Sequence, residues 1–486
     1  MHAETGSSIA ETHASTVVFL GDRAYKIKKP VSLGFLDFST RDARERACHA
    51  EVDLNRRLAP DVYLGVADVI GPDGSPCDHI VVMRRMPTAR RLSTLVRDGH
   101  DVGDEVRRVA RVVAAFHARA ARSACISLAG LPERLTGNWE QSFRQMDAFT
   151  GSVLDRPTCD RIEVAVRRYL EGRGPLLHSR VNAGEIVDGH GDLLADDIFC
   201  LDDGPRILDC LEFSDDLRHG DVLADVGFLA MDLERLGRPD LGSRFLDWYR
   251  EFSAAWFPDS LAHHYIAYRA HVRAKVACLR HAEGVADAAV EARRLLDLTE
   301  RHLRAARVTL VLVGGLPGTG KSTVSATVGE RLRYPVLRSD EIRKELAGIP
   351  PLTAASAGYR EGIYGEASTA ATYETLLLRA RESLEQGQSV VLDASFTDHR
   401  WRDAAWLVAE QTTSDLVAVQ CVAPAEVAAS RLRGRAAGTD PSDATPEIAA
   451  RMAGAADPWP EATPIVTAGS PATAAATVAA LVDTLS

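Results

Sequence analysis

Within GHGDLLADDIFC, residues 189–200, Asp192, Asp196 and Asp197 fall within six positions and run straight into a short apolar stretch. Carboxylates that close repel one another wherever water is partly excluded, so the segment asks for a cation. RILDCLEF follows, with Asp209 twelve residues after Asp197 and Glu212 just beyond it, both at the end of a second apolar run. An Asp in a loop and another after the next strand gather hard oxygen ligands from two segments. Such a set suits magnesium and leaves coordination positions open for phosphate oxygens.

A second anion chemistry stands at residues 315–322, where GLPGTGKS fits G-x-x-x-x-G-K-[ST] between an apolar run and a helical stretch. Gly315, Gly318 and Gly320 let the backbone curl so that successive N–H groups face a phosphate, and the helix N-terminus adds positive potential. Lys321 then reaches the β and γ phosphates, Ser322 takes a place on magnesium, and Thr319 and Thr323 complete the phosphate-contacting set. In LRSDEIRKEL, Asp340 opens a helix after the next strand, where a carboxylate can take the proton of an attacking hydroxyl. Arg343, one turn on, is placed to orient an acceptor or to pair with Asp340. Asp393 ends the apolar strand SVVLD as a carboxylate that serves magnesium from behind its direct ligands, and Arg431 and Arg435 lie four apart as candidate lid arginines over a transferring phosphoryl group.

These residues need at least two scaffolds. The 486 residues are roughly three times the usual domain size, which predicts two or three cores. A net charge of -11 argues against a general nucleic-acid or anionic-membrane surface. The opening MHAETGSSIAETHAS has neither a basic nor an apolar leader region, and no stretch approaches the roughly 20 apolar residues of a membrane helix, so a cytoplasmic protein is predicted. The eight cysteines include no C-x-x-C pair, which argues against a zinc site or a disulfide framework.

Short β-rich runs (TVVFL, AYKIK, LGVADVI, HIVVMRRMP) surround one helical stretch with Ser39 as its expected N-cap and Pro60 as its stop, which predicts a small mixed sheet with one helix. Residues 102–122, 140–171 and 239–305 read as helical. From Arg307, apolar runs at VTLVLVGG, PVLR, SVVLDAS, LVAVQCV and PIVT alternate with helical stretches, the sequence form of an α/β domain with a doubly wound parallel sheet. Trp401 and Trp406 are expected in its core, with Trp459 in DPWPEATP as an anchor. Lys28 and Lys29 are expected in solvent.

On GLPGTGKST, SDEIRKEL, VVLDASF and RLRGR, residues 307–486 resemble the P-loop kinase families that include polynucleotide-kinase-like, gluconate-kinase-like and zeta-toxin-like proteins. That resemblance implies ATP-dependent phosphorylation of a hydroxyl. The order HGD, a polar side chain five residues on, a strand and a second Asp is similar to the aminoglycoside phosphotransferase and choline-kinase branch of the bilobal α+β protein-kinase-like fold. The likeness implies Asp192 as the catalytic Asp facing the acceptor hydroxyl and Asp209 on magnesium, with Asp197 at the second metal position. It further implies Lys26 in AYKIKK on the α and β phosphates, Glu51 as its partner, HIVVMRRMP as the hinge, His190 as a brace, and Asp221 in RHGDVLADVGFLAMDLE as the buttress of the catalytic loop.

Together, YKIKKPVSLGFLDFST, HGDLLADDI and ILDCLEF resemble bacterial fusions described as aminoglycoside phosphotransferase-like with a C-terminal ATP-binding domain. The sequence departs from that pattern in three places. Asp197 stands where the family has Asn, Leu194 where it has His, and THAST (residues 12–16) where a glycine-rich loop would cover the phosphates. The expectation is therefore a two-module ATP- and magnesium-dependent phosphotransferase, residues 1–300 and 307–486. Its acceptors are expected to be small hydroxylated molecules, sugars or aminoglycoside-like, with no nucleic-acid or membrane partner. The alternative is a regulatory nucleotide-binding protein: a pseudokinase N-terminal domain with a P-loop ATPase switch.

Overall fold

A computed structural model of the chain describes residues 8–11, 14–32, 36–350, 353, 361–434 and 444–484. The chain divides into an N-terminal unit (Met1–Glu163, Leu177–Phe257 and Ala262–His302) and a C-terminal unit (Val164–Leu176, Pro258–Leu261 and Leu303–Ser486).

The N-terminal unit begins with five strands, β1 (Ser8–Glu11), β2 (Ser15–Leu20), β3 (Arg23–Lys28), β4 (Tyr63–Ile70) and β5 (Pro76–Arg84), in the order β1-β2-β3-β5-β4. Every pairing is antiparallel, so the expected mixed sheet is corrected to an antiparallel one. Tight connections between β1, β2 and β3 allow hairpin pairing, and parallel neighbours would need long crossovers. Helix Arg41–Asn55 packs on this sheet through Cys48 and Val52, which join Ala24, Val62, Tyr63, Val81 and Met83 in one core. Its N-cap is Thr40, whose Oγ1 accepts from the Ala43 amide at 3.2 Å, and not Ser39 as expected. The hydroxyl must sit where it meets the amide three residues on, and Thr40 holds that place.

The remainder of this unit is mostly helical, with two small antiparallel ribbons that carry the acidic segments. One pairs β6 (Ile186–Asp188) with β9 (His219–Asp221); the other pairs β7 (Ile198–Leu201) with β8 (Gly204–Ile207).

In the C-terminal unit, β10 (Thr309–Gly314), β11 (Val336–Arg338), β12 (Val390–Asp393), β13 (Asp415–Val422) and β14 (Thr463–Val466) form one parallel sheet in the order β11-β12-β10-β13-β14. The first strand is central and buried along its whole length, which is why VTLVLVGG is apolar without alternation. Leu310 and Leu312 face Leu376, Leu384 and Ala405, whereas Val311 and Val313 face Val324, Val328 and Val478. Trp459 is buried as expected, and Trp401 stacks on Tyr373 at 4.9 Å. Trp406 is 55% exposed and belongs to the outer face of its helix, a correction to the expected core pair. Five residues along a helix is about 500° of rotation, which turns the two indoles well apart. Among the described residues, no helix is long and apolar enough to cross a membrane.

Candidate functional site

The acidic segment of the N-terminal unit is a turn held from several directions. Gly191 has φ 86°, and a Cβ there would lie 3.2 Å from Leu211 and 3.3 Å from the Arg218 backbone, so the tight passage between His190 and Asp192 requires glycine. The amides of His190 and Gly191 donate to the two oxygens of Asp225 at 2.6 and 2.8 Å. His117 Nε2 pairs with the same carboxylate at 3.2 Å, and Tyr249 backs His117 at 2.9 Å. Burial opposes the charge on Asp225, but the His117 hydrogen bond and the two amides outweigh it and hold this carboxyl well below the usual range. The buttress is therefore Asp225 and not Asp221. Asp221 is buried against Arg180 at 2.8 and 2.9 Å and caps helix Val222–Arg235 through the Leu223 amide. The two acids are four residues apart, and only tertiary packing decides which one meets the turn. His190 braces the turn as expected, with Nε2 3.1 Å from the Leu208 carbonyl.

Asp209 follows β8 in the left-handed region, φ 62°, a conformation Asp tolerates better than most residues. Its amide donates to Tyr63 Oη at 3.2 Å, and the next amide, Cys210 N, donates to the buried Asn55 side chain at 2.8 Å. Helix Arg41–Asn55 and the start of β4 thereby aim the Asp209 carboxylate at β3. There Lys26 Nζ lies 2.6 Å from Asp209 and 2.8 Å from Glu51, the partner expected for it. Lys28 is 2% exposed and pairs with Glu51 at 2.5 Å and with Glu212, which corrects the expectation that it is solvated. Strand alternation puts residues 26 and 28 on one face, so both lysines meet the same acids. Lys29 lies on the opposite parity, its ammonium 3.7 Å from Glu11.

The electrostatics separate the acids. Lys26 pulls the half-exposed Asp209 below the usual carboxylate range. Burial lifts Asp192 to about 6, with the charge of Asp209 adding to it and Arg273 and Arg269 opposing. Asp197 is raised further, by burial and then by Asp209 and Asp192. Asp192 and Asp197, both raised by the charge of Asp209, fit with it around a divalent cation, which would take the place of the protons. Asp196 turns away to Ser93 and lies 3.6 Å from Arg97. Of THAST, Thr12 and His13 lie outside the described residues, and Ser15 and Thr16 begin β2.

In the C-terminal unit, the phosphate loop leaves the end of the central strand β10 and enters helix Lys321–Leu332. Gly318 has φ 83°, and a Cβ there would meet the Ala428 carbonyl at 2.5 Å. Gly315 N donates to Ser395 O at 3.2 Å, and Thr319 closes the turn on the Leu316 carbonyl at 2.7 Å. Lys321 and Ser322 are partly buried at the helix start, with Thr323 exposed behind them. Asp393, at the end of β12, is 3% exposed. One of its oxygens accepts from Arg338 at 3.2 Å and the other has no hydrogen-bond partner among the described residues, an orphaned buried acceptor that fits a metal-bound water.

Asp340 is partly buried in the first turn of Ser339–Leu346. Arg343 does not pair with it. Its guanidinium donates to Ile363 O and Thr369 Oγ1 and lies over Tyr364. Arg431 donates to Thr467 O at 2.7 Å and to Gly318 O at 3.4 Å, beside a cavity of about 560 Å³ lined by Gly318, Gly320, Thr323, Thr467 and Pro471. Arg435 lies outside the described residues; helix Ala425–Arg433 ends before it.

Sequence reasoning missed Asp225, Tyr63 and Asn55, named Glu212 without its lysine partner, and misplaced Lys28. Lys28 carried a readable signal, since KIK on a strand places two lysines on one face. Tyr63 and Asn55 carried none, because their role depends on where a distant turn lands.

A family model described as an AAA domain matches residues 310–459. Similar solved structures include a choline/ethanolamine kinase family protein from Mesorhizobium loti, 16% identical over 63% of this chain and 93% of that one, with a TM-score of 0.41. A gluconokinase from Sinorhizobium meliloti 1021 is 20% identical over 37% of this chain and 95% of that one, with a TM-score of 0.27. Uncharacterized protein Rv2004c of Mycobacterium tuberculosis and Uncharacterized protein Mb2027c of Mycobacterium bovis are each 43% identical over 461 residues, 95% of this chain and 92% of theirs. At that identity and coverage the chain belongs to the family of these mycobacterial proteins.

Proposed function

We propose that the protein is an ATP-dependent phosphotransferase with two separate sites, each passing the γ-phosphoryl group to a hydroxyl of a small molecule. The observation that supports this best is the meeting of Lys26, Glu51 and Asp209 at distances of 2.6–2.8 Å, with Asp192 and Asp197 close enough to Asp209 to feel its charge. In the N-terminal unit, Lys26 positions the α and β phosphates, Glu51 fixes Lys26, and Asp209 with Asp197 holds magnesium. Bound magnesium supplies charge neutralisation across the phosphates. Asp192 takes the acceptor's hydroxyl proton as its oxygen bonds to the γ phosphorus, while the bond from that phosphorus to the β–γ bridging oxygen breaks and ADP leaves.

In the C-terminal unit, Gly315, Gly318, Thr319, Gly320, Lys321 and Thr323 cradle the phosphates, and Ser322 and Asp393 serve magnesium. Asp340 is the base. Arg431, fixed against Gly318 and Thr467, contacts the nucleotide from the 560 Å³ cavity and closes over the transferred group. The N-terminal substrates are small hydroxylated molecules.

A regulatory reading, a pseudokinase paired with a P-loop switch, is favoured by one observation: Asp197 adds a carboxylate where the family carries Asn, and its proton affinity is strongly raised. ADP release by the full chain separates the two readings. Acceptor-dependent release lost in Asp192→Ala supports the enzyme, and acceptor-independent release that only Lys321→Ala abolishes supports the switch.

A further inference from the structure

Helix Asp259–Ala282 packs on helix Val222–Arg235, where Gly227 lets the backbone of Tyr265 and Ile266 come within 3.1 Å of the position a Cβ would occupy. On the packed face, Arg269 is nine-tenths buried. Its Nε donates to the Ala224 carbonyl at 3.0 Å, and its guanidinium lies over the Phe228 ring at 4.7 Å. The residue after Ala224 is Asp225, whose carboxylate clamps the amides just before Asp192. Arg269 is thereby fixed beside the reacting turn. Arg273 follows one helical turn later on the same face. It is partly buried and makes no hydrogen bond or ion pair with any described residue. Of all opposite charges, Arg273 and then Arg269 act most strongly on the Asp192 carboxylate.

The carboxylates flanking the turn are already paired. Asp188 and Asp215 are held by Arg218, Asp216 by Arg134 at 3.1 Å, and Asp232 by Arg235 at 2.7 Å. A guanidinium partly removed from water without a partner is costly, and a bound anion would supply the missing partner. A polycation would meet two arginines and few free carboxylates at the same place.

We propose that the acceptor of the N-terminal unit is a hydroxyl compound bearing a carboxylate or phosphate, which Arg273 binds with Arg269 behind it, and not a polycation of the aminoglycoside type. This rests on the phosphotransfer reading of that unit.

The test uses the full chain carrying Lys321→Ala, so that the P-loop site is silent, and follows ADP release. The acceptors are glycerate and gluconate, glycerol 3-phosphate and glucose 6-phosphate, glucose and inositol, and kanamycin and choline. The expected result is Asp192-dependent release with a carboxylate or a phosphate compound, and the first two pairs tell these sources apart. Arg273→Gln then raises the acceptor KM about tenfold or more while kcat changes far less, and Arg273→Lys recovers part of the loss. Since Arg273 makes no hydrogen bond or ion pair with a described residue, its variants should melt with the parent. Asp192-dependent release confined to neutral or cationic acceptors, or an unchanged KM in Arg273→Gln, overturns the anionic class and leaves phosphotransfer standing. Release with no acceptor, equal in Asp192→Asn and parent, overturns both.

Discussion

The candidate sites of the two units are built from different materials. The phosphate loop of the C-terminal unit is mostly main chain: glycines in left-handed conformations and a single lysine at the start of a helix. The acidic site of the N-terminal unit is all side chain, with Lys26 and Lys28 against Glu51, Asp209 and Glu212, and with Asp192 and Asp197 straining against the charge of Asp209. Main-chain amides do not titrate and are prearranged by sterics. Clustered carboxylates are incomplete without a cation and answer to pH. The first kind of site breaks when its shape changes, and the second when its charges change.

The largest effect that would sharpen this contrast is a single charge deletion. Asp209→Ala, with Lys26 and Glu51 intact, should lower acceptor-dependent turnover by the N-terminal unit by about 10²–10⁴-fold, a loss of the size expected for a group needed in phosphoryl transfer. Binding of a fluorescent ATP analogue to the phosphate loop should survive. Equal loss at both sites would break the comparison.

Next comes a change of shape without charge. Gly318→Val puts a Cβ 2.5 Å from the Ala428 carbonyl in a backbone conformation that β-branched residues rarely adopt. Titration calorimetry should show nucleotide uptake lost at the loop while the N-terminal site keeps its own.

A smaller effect is expected of Asp225→Asn, which cannot keep both amides and His117 satisfied. Leaving one such buried donor unpaired costs about 1–3 kcal/mol. Urea unfolding of the N-terminal transition should shift accordingly, and Asp221→Asn should weaken the Arg180 pair without loosening the His190–Gly191 turn.

The smallest effects come from pH. A base must be ionised to work, and the Asp192 carboxyl is raised to about 6, so N-terminal turnover should fall below about pH 6. For stability the sign runs the other way. An acid whose folded pKa exceeds its unfolded value binds its proton more tightly when folded, so ionising it costs stability as pH climbs from its ordinary value through 6. Asp192→Asn should therefore melt a few degrees higher than wild type at pH 7.5, and the gap should close toward pH 4.

Much of this was written in local sequence. The phosphate loop could be read because its function is local: the turn, the amides, Lys321 and Ser322 all lie within eight consecutive residues, and the flanking strand and helix have their own periodicities. The Lys26, Glu51 and Asp209 set could be named from motif order, although composition alone gives no sign that three distant segments converge. Other assignments failed where a choice between near neighbours depended on packing. Ser39 and Thr40 offer the same hydroxyl, and only the entry angle of the chain selects Thr40. Asp221 and Asp225 share one helix start, and the turn at Gly191 lands on the second. Lys28 reads as a solvated lysine until Glu51 and Glu212 arrive from elements 23 and 184 residues away.

The sequence by itself determined the elements, the order of the two candidate sites and the residue types available to each, because strand alternation, helical period and glycine sterics act over a few residues. The tertiary structure decided which acid clamps the turn before Asp192, which lysine is buried, and that Arg273 acts on Asp192 while making no hydrogen bond or ion pair with any described residue. Those outcomes depend on Coulomb and hydrogen-bond energies between groups far apart in the chain, and such energies have values only once folding has fixed the distances.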